Sequence, residues 1–261
     1  MTPTAPALQL EHVSKDFRFG SLFSRAVHHA VVDVNLHLER CHVLGVVGES
    51  GSGKSTLGRI AVGLIPPTSG TVTVAGERLD NLDAGALRRK RRQMQMIFQD
   101  SSSSLNPRMT LQDLLMEPFR VQGLLTEPDR RRRASELADE VQLAQAFLPR
   151  MPHEFSGGQR QRISIARALA LDPGLIVADE PVSALDVSVQ AAILNLLKDI
   201  QEARDLSMLF ISHDMAVIEF MSDDVAVIYQ GRIVEHAACQ EVFAKPRNDY
   251  TKLLLTSTPS L

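Results

Sequence analysis

The stretch GESGSGKST, residues 48–56, decides the fold of this chain. It matches the pattern G-x-x-x-x-G-K-[ST], in which glycines let backbone N–H groups wrap phosphates, the lysine reaches the β- and γ-phosphates, and the hydroxyl holds Mg²⁺. The apolar run HVLGVV precedes it and STLGRIAVGLI follows it, so a strand leads into the loop and a helix leaves it. We therefore predict a nucleotide site formed by Gly48, Glu49, Ser50, Gly51, Ser52, Gly53, Lys54, Ser55 and Thr56.

Outward from this loop, strand-like and helical segments alternate. The runs VVDVNLHLE and GTVTVAGERL on either side of the loop alternate apolar and polar residues, which is typical of strands with one buried face. The expected buried positions of the helix after the loop are Leu57, Ile60, Ala61 and Leu64. Further along, MQMIFQD, LIVADE, SMLFISHD and DVAVIYQ resemble buried strands, and the last three are separated by helical patterns. This alternation predicts an α/β fold with a parallel sheet and helical crossovers.

The alternation of strands and helices also predicts the subdomain boundaries. We expect one domain over 1–261, with a core and β subdomain over 7–98 and 171–232, a mainly helical subdomain over 99–170, and a C-terminal tail over 233–261. In the helical zone, Thr126, Pro128 and Asp129 stand where a helix start is capped, and Leu137 and Val141 lie one turn apart.

Composition narrows the class of protein. Of 261 residues, 44% are hydrophobic and 23% are charged, as in ordinary soluble domains, and the net charge of -3 gives no general attraction to nucleic acid. Cys41 and Cys239 are far apart, which favours a reduced compartment. The apolar runs are strand-sized and the first residues lack a signal-peptide pattern. We expect a cytosolic protein whose membrane contact comes through a partner.

Three polar features follow predicted strands. Asp179 and Glu180 end LIVADE, Gln99 ends MQMIFQ, and His213 follows LFIS. An acidic pair is often a solvated loop entry, and a lone histidine or glutamine is often structural. Ligands of such sheets bind at the carboxyl ends of the strands, however, beside the predicted loop. We therefore predict Mg²⁺ contacts from Ser55, Gln99 and Asp179, with Glu180 as general base pointing the opposite way along the strand, and with catalytic roles for His213 and Gln99.

A second glycine-rich helix start lies at FSGGQRQR, residues 155–162. Ser156 is a candidate N-cap, and Gly157 and Gly158 would let an anion approach the backbone. One nucleotide needs only one cradle. We therefore predict that Ser156, Gly157, Gly158 and Gln159 serve a nucleotide held by a second subunit, in a head-to-tail dimer.

These motifs occur in the order found in ABC-type ATPases, and the resemblance covers nearly the whole chain. SSLNPRMT, HEFSGGQRQRISIARALALDP, ADEPVSALDVSVQA and DYTKLLLTSTP are most similar to the ATPase subunits of dipeptide, oligopeptide and nickel importers. GKSTLGR and the insert RFGSLFSRAVHHAVVDV resemble the second of the two unlike ATPases in such importers. Cys41 and His42 depart from the family, which usually has glycine followed by Glu or Lys there, and Phe155 replaces a more general leucine.

The resemblance implies a RecA-like core with an N-terminal antiparallel β subdomain and a helical subdomain. It implies ATP and Mg²⁺ as cofactors and Phe17 stacked on adenine. Ser183, Ala184, Leu185 and Asp186 would lie at the dimer seam. The implied partners are a second ATPase subunit, two transmembrane permease subunits and an extracytoplasmic solute-binding protein. The implied location is the cytoplasmic face of the inner membrane.

Several alternatives stay open. The chain could be an accessory ATPase of a phosphonate-degrading complex, and the solute could be nickel or another small ligand. A DNA-repair or translation ATPase would need a long coiled coil or tandem units, which do not fit. His28–His29 and RRKRR, residues 88–92, could suggest metal or nucleic-acid binding, but diverging side chains and a solvated helix face are favoured.

The sequence also suggests how the chain meets the membrane. Asn106, Pro107 and Arg108 are expected to form a turn after Gln99. We expect residues 100–120 to line a groove for a permease helix. Leu111, Leu114 and Leu115 offer apolar positions there, although the same leucines could simply pack the core.

Overall fold

The computed structural model of this chain describes residues 5–19, 26–100 and 104–257. A central sheet of six strands organises it, in the order β10-β9-β3-β8-β7-β6. All neighbours in it are parallel except the edge strand β10, which runs antiparallel to β9. The strands are β3 Val43–Val47, β6 Met94–Ile97, β7 Leu175–Asp179, β8 Ser207–Ser212, β9 Asp224–Tyr229 and β10 Arg232–Ala238. The predicted parallel α/β sheet is confirmed.

A second sheet is antiparallel and has the order β2-β1-β4-β5. Its strands are β1 Leu8–Phe19, β2 Ala26–Leu38, β4 Ser69–Val74 and β5 Glu77–Arg78. Alternate residues are buried in the second halves of β2 (Val34, Leu36 and Leu38) and β4 (Val72 and Val74), as the period-two pattern predicts. Their apolar faces share one core with the central sheet and with the helix that follows the glycine loop. This core fixes the antiparallel sheet beside that loop.

Nine α-helices complete the described part of the chain. They are α1 Lys54–Ala61, α2 Ala84–Lys90, α3 Leu111–Gln122, α4 Glu127–Glu140, α5 Gly157–Leu169, α6 Val187–Ala203, α7 Met215–Met221, α8 Cys239–Ala244 and α9 Asp249–Ser257. None of the helices within the described ranges has the length and apolar character needed to cross a bilayer.

The zone between β6 and β7 is helical, as predicted. Thr110 caps α3 by accepting a hydrogen bond from the Asp113 N–H, and Thr126 caps α4 in the same way with Asp129. Leu137 of α4 and Val141, its C-cap residue, which the sequence places one turn apart, are both fully buried. These helices pack together and against the other face of the central sheet in a second hydrophobic core.

The turn at residues 106–108 forms as predicted, because the Arg108 N–H donates to the Asn106 side chain. Contrary to expectation, the leucines that follow this turn do not line a groove for a permease helix. Leu111, Leu114 and Leu115 have 0% exposure and belong to the core, so the prediction that they face a partner is wrong. Residues 101–103 of the predicted groove, and residues 20–25 of the insert, lie outside the described residues.

Two further expectations are corrected. Helix α1 ends at Ala61, so Leu64 lies beyond it and is 43% exposed instead of buried. In the run RRKRR, Lys90 is buried and pairs with Glu77 at 3.0 Å, and Arg92 donates to the side chain of Gln122 in α3. The basic run therefore ties the core to the helical zone, and it does not form a simple solvated face.

The departure at Cys41 has a structural answer. Its φ is 60°, in the left-handed region that glycine adopts most easily, and its N–H donates to the Ser207 Oγ at 3.0 Å. The turn before β3 therefore has a cysteine, and not a glycine, in the left-handed conformation. For the histidine pair, no cluster of three or more His, Cys, Asp or Glu suited to a metal occurs among the residues described.

Candidate functional site

The glycine loop joins the end of β3 to the start of α1. At Gly48, a Cβ atom would lie 2.2 Å from the Ile228 carbonyl oxygen, and at Gly53 it would lie 2.1 Å from that of Ala30. Gly53 also has a φ of 106°. Only glycine fits at these two positions, because there the loop backbone lies directly against the backbones of β9 and β2. The start of α1 has no side-chain cap, so the backbone N–H groups of its first turn are suited to an anion.

The buried ammonium group of Lys54 lies within the loop. Its Nζ donates to the carbonyl oxygens of Gly48 at 2.6 Å and Glu49 at 2.7 Å, and it lies 4.0 Å from Glu180 Oε1. Burial lowers the pKa of Lys54, while the carboxylates of Glu180 and Asp179 act in the opposite direction. A cation held in this way is placed to move from carbonyl oxygens to phosphate oxygens.

Asp179 ends β7 directly below the start of α1. Its Oδ1 accepts a hydrogen bond from the Ser55 Oγ at 2.8 Å, and its side chain is buried. Burial raises the pKa of Asp179, and the hydrogen bond from Ser55 opposes that rise. A hydroxyl and a carboxylate are hard oxygen donors of the type that Mg²⁺ prefers, so these two residues fit the ion.

Glu180 gathers three of the predicted side chains. Its Oε2 accepts a hydrogen bond from Gln99 Nε2 at 3.0 Å and lies 3.1 Å from His213 Nδ1, while its Oε1 faces Lys54. The orientation has a different cause from the one predicted. Strand β7 ends at Asp179, and Glu180 has a φ of 46°, so a left-handed turn and not strand alternation aims this carboxylate.

A cleft of about 900 Å³ lies over these groups. The predicted residues that line it are Glu49, Ser50, Gly51, Gly53, Lys54, Ser55, Thr56, Gln99, Glu180, Ser183, Ala184 and His213. Gly48 and Ser52 are buried behind the loop, and Asp179 lies beneath it. The cleft thus unites segments that are separated by more than a hundred residues in sequence.

Phe17 does not line this cleft. It lies in β1 opposite His28 of β2, and His28 does line the cleft. The Phe17 ring is half-buried and has the Lys15 ammonium 5.4 Å from its centre. It therefore stands at the edge of the cleft, one strand away from its wall.

The segment Ser156–Gln159 lies outside the cleft, at the start of α5. The predicted N-cap is confirmed: Ser156 Oγ accepts from the Gln159 N–H, and Gln159 Oε1 accepts from the Ser156 N–H. A Cβ atom on Gly157 would lie 3.3 Å from Leu185, so this helix start packs beside residues 183–186 of the same chain. Leu185 and Asp186 do not reach the cleft either.

Sequence reasoning missed five residues of the cleft and its surroundings. His28 and Leu254 line the cleft together with Ala30 and Asp100. Tyr250, in the tail helix α9, accepts a hydrogen bond from the Glu49 N–H at 3.1 Å. The run DYTKLLL was visible in the sequence, but nothing local in it indicated contact with a loop two hundred residues away.

Comparison with known proteins agrees with this geometry. The family model described as ABC transporter matches residues 31–183. A putative peptide import ATP-binding protein of Brucella ovis is 48% identical over 261 residues, which is all of this chain and 80% of that protein. The oligopeptide transport ATP-binding protein AppF of Bacillus subtilis is 47% identical over 97% of this chain and 78% of AppF.

Solved structures give the same result for the fold. The ATP-binding cassette MJ0796, in a dimeric post-hydrolysis state bound to ADP and Pi, matches with a TM-score of 0.79 and 31% identity. The match covers 89% of this chain and 98% of that one. The predicted RecA-like core with its antiparallel and helical additions is thereby confirmed. This chain belongs to the ABC transporter family, as one of its ATP-hydrolysing cassettes.

Proposed function

We propose that this chain is the ATPase motor of an importer for peptides and that it works as one half of a head-to-tail ATPase dimer. The observation that carries the proposal is the position of Glu180 between Lys54, Gln99 and His213, beside the Ser55–Asp179 pair. Peptide as the solute rests on the functions named for the relatives, which favour it over nickel and favour import over a phosphonate-degrading complex.

Each side chain of the cleft has a separate role in ATP hydrolysis. Lys54 moves from the loop carbonyls to the β- and γ-phosphates, and the loop N–H groups hold the same oxygens. Mg²⁺ at Ser55 and Asp179 would neutralise part of the phosphate charge. Glu180 accepts a proton from the attacking water, Gln99 holds the carboxylate and that water in line, and His213 steadies the other side of Glu180. Phe17 stacks on the adenine from the edge of the cleft.

The second half of the site comes from another subunit. Ser156 to Gln159 lie outside this chain's own cleft, beside Ser183 to Asp186, and Ser183 and Ala184 reach back into the cleft. We place both segments at the dimer seam, where Ser156 and its glycines face the partner's γ-phosphate. The solved dimeric state of a cassette with the same fold supports this arrangement. The partner is a second, unlike ATPase subunit.

The permease contact is assigned to a second cleft, of about 520 Å³. Asp100, Ser104 and Pro118 line it from the predicted segment, and Arg167 of α5 lines it from the other side. Gln99 borders both this cleft and the nucleotide cleft. A cytoplasmic permease helix seated here would move when the contacts of Gln99 change. The solute-binding protein then acts on the outer side of the membrane.

Uptake tests the function directly. Cells that produce Glu180→Gln in place of the wild-type chain should lose uptake of a labelled oligopeptide, because the general base is gone. The matched control is Glu202→Gln, an exposed residue of α6 outside the site, which should leave uptake unchanged. Wild-type peptide uptake in the Glu180→Gln strain would contradict the proposal.

The permease contact has its own test. A cysteine at Gln95, which lines the second cleft, should form a disulfide with a cysteine in the permease's cytoplasmic helix in a Cys41→Ser background. A cysteine at Glu202 serves as the control. Equal cross-linking at the two positions, or none at Gln95, would place the permease elsewhere.

A further inference from the structure

The tail helix α9 is firmly attached to the central sheet at its start. The buried carboxylate of Glu235 in β10 accepts hydrogen bonds from the Arg247 N–H at 2.8 Å and the Asn248 N–H at 3.1 Å. Asn248 Oδ1 then accepts from the Tyr250 N–H at 2.9 Å. Because a carboxylate accepting backbone N–H groups is a strong hydrogen-bonding partner, the first turn of α9 has a defined position.

That position brings α9 to the phosphate loop. The Tyr250 hydroxyl accepts the Glu49 N–H, and its ring packs on Tyr229 with ring centres 4.3 Å apart. One turn further, Leu254 forms part of the wall of the nucleotide cleft. The loop therefore has a support that comes from the far end of the chain.

The peptide group between Gly48 and Glu49 has a hydrogen-bonding partner at both of its polar atoms. The carbonyl of this unit belongs to Gly48 and accepts from Lys54 Nζ at 2.6 Å, and its N–H belongs to Glu49. In the proposed nucleotide-bound state, Lys54 turns to phosphate oxygens and gives up its bond to Gly48. The hydrogen bond to Tyr250 does not depend on Lys54, so it then becomes the remaining side-chain contact that orients the peptide.

We propose that Tyr250 is a positioning residue for nucleotide binding, and that α9 is part of the nucleotide site. Tyr250 keeps the 48–49 peptide in the orientation that the loop needs while Lys54 is engaged with phosphate. The inference rests on the proposed placement of the nucleotide in the loop. Displacement of α9 should therefore weaken ATP binding by releasing the Glu49 N–H and the 48–49 peptide of the loop.

The test is Tyr250→Phe in the full chain, which removes the hydroxyl and keeps the ring. Loss of one neutral hydrogen bond should raise the Kd for Mg-ATP about three- to tenfold. The Glu49 amide should exchange with solvent faster by a similar factor, because its acceptor is gone. The midpoint of thermal unfolding should change little, since ring packing on Tyr229 is retained.

Tyr229→Phe is the matched control. The Tyr229 hydroxyl accepts from Gln230 and not from the loop, so this variant should bind Mg-ATP like the wild type. An unchanged Kd and unchanged Glu49 exchange in Tyr250→Phe would overturn the inference, as would an equal loss of affinity in Tyr229→Phe. If the wild-type chain itself failed to bind Mg-ATP, the proposed nucleotide site would fail first, which separates the two outcomes.

Discussion

The two glycine-rich helix starts of this chain use the same backbone chemistry in opposite ways. At α1 the N-cap is Gly53, which has no side chain to satisfy the first N–H groups. At α5 the N-cap Ser156 and Gln159 satisfy each other's N–H groups within the chain. The first start is incomplete without an anion, whereas the second is already stable by itself. This difference supports a primary phosphate site at α1 and an accessory contact, offered to another subunit, at α5.

The largest expected effect comes from breaking the α1 side of this comparison. Lys54→Ala should weaken Mg-ATP binding about 100-fold or more, because two charge-assisted contacts to phosphate are lost. Equilibrium binding to the isolated chain measures this. Lys245→Ala, on an exposed lysine outside the cleft, is the control. If Lys54→Ala kept wild-type affinity, the loop would not be the primary site.

The α5 side should respond differently. Ser156→Arg places a bulky cation at the helix start that faces the partner, so hydrolysis in the assembled complex should fall at least about tenfold. Binding of Mg-ATP to the isolated chain should remain at its wild-type strength, since Ser156 lies outside the chain's own cleft. Loss of binding by the isolated chain would show that both helix starts serve one nucleotide, and the comparison would break.

The sequence was sufficient where a local rule controls the structure. Asp179, Gln99 and His213 could be placed at one site because they lie at or just after the carboxyl ends of parallel strands, and these ends meet at one edge of the sheet. Ser156 could be identified as a cap because a serine directly before a helical run is a favoured N-cap, and in the structure Gln159 completes a capping box with it. In both cases a few neighbouring residues carry the whole signal.

The predictions that failed, and the residues that were missed, depend on contacts between segments that are distant in sequence. Helical spacing of Leu111, Leu114 and Leu115 indicates an apolar face, but it does not say whether the covering surface belongs to the same chain. Leu64 continued the helical pattern although the backbone had already left the helix, with Gly63 at a φ of 63°. Tyr250 and Leu254 meet the loop through tertiary contacts alone. Only the assembled fold specifies such contacts.

A smaller effect should sharpen the contrast between the two caps. Ser156→Ala removes the oxygen that accepts the Gln159 N–H, and it should cost about 1 kcal/mol of unfolding free energy. Denaturant unfolding of the isolated chain measures the loss. Ser188→Ala, at an exposed serine inside α6, should stay within about 0.5 kcal/mol of the wild type. Stability losses of equal size in both variants would mean that the cap at α5 is not structurally complete.

The smallest expected effect is a dependence of stability on pH. It arises at the start of α1 and not at the start of α5, because residues 155–159 contain no titratable side chain. Burial raises the pKa of Asp179 in the folded chain, so its ionised form opposes folding. That cost is absent below the pKa of the unfolded chain, near 4, and develops as the pH rises through the folded pKa. Asp179→Asn, which can still accept the Ser55 hydroxyl, should therefore unfold at a slightly higher temperature than the wild type at pH 7 and at nearly the same temperature at pH 4.

With Mg-ATP present at pH 7 the order should reverse, because the carboxylate then has a cation to bind. Thermal unfolding at both pH values, with and without Mg-ATP, measures all four cases. A wild-type chain that is more stable than Asp179→Asn at pH 7 without nucleotide would contradict this account of the buried acid.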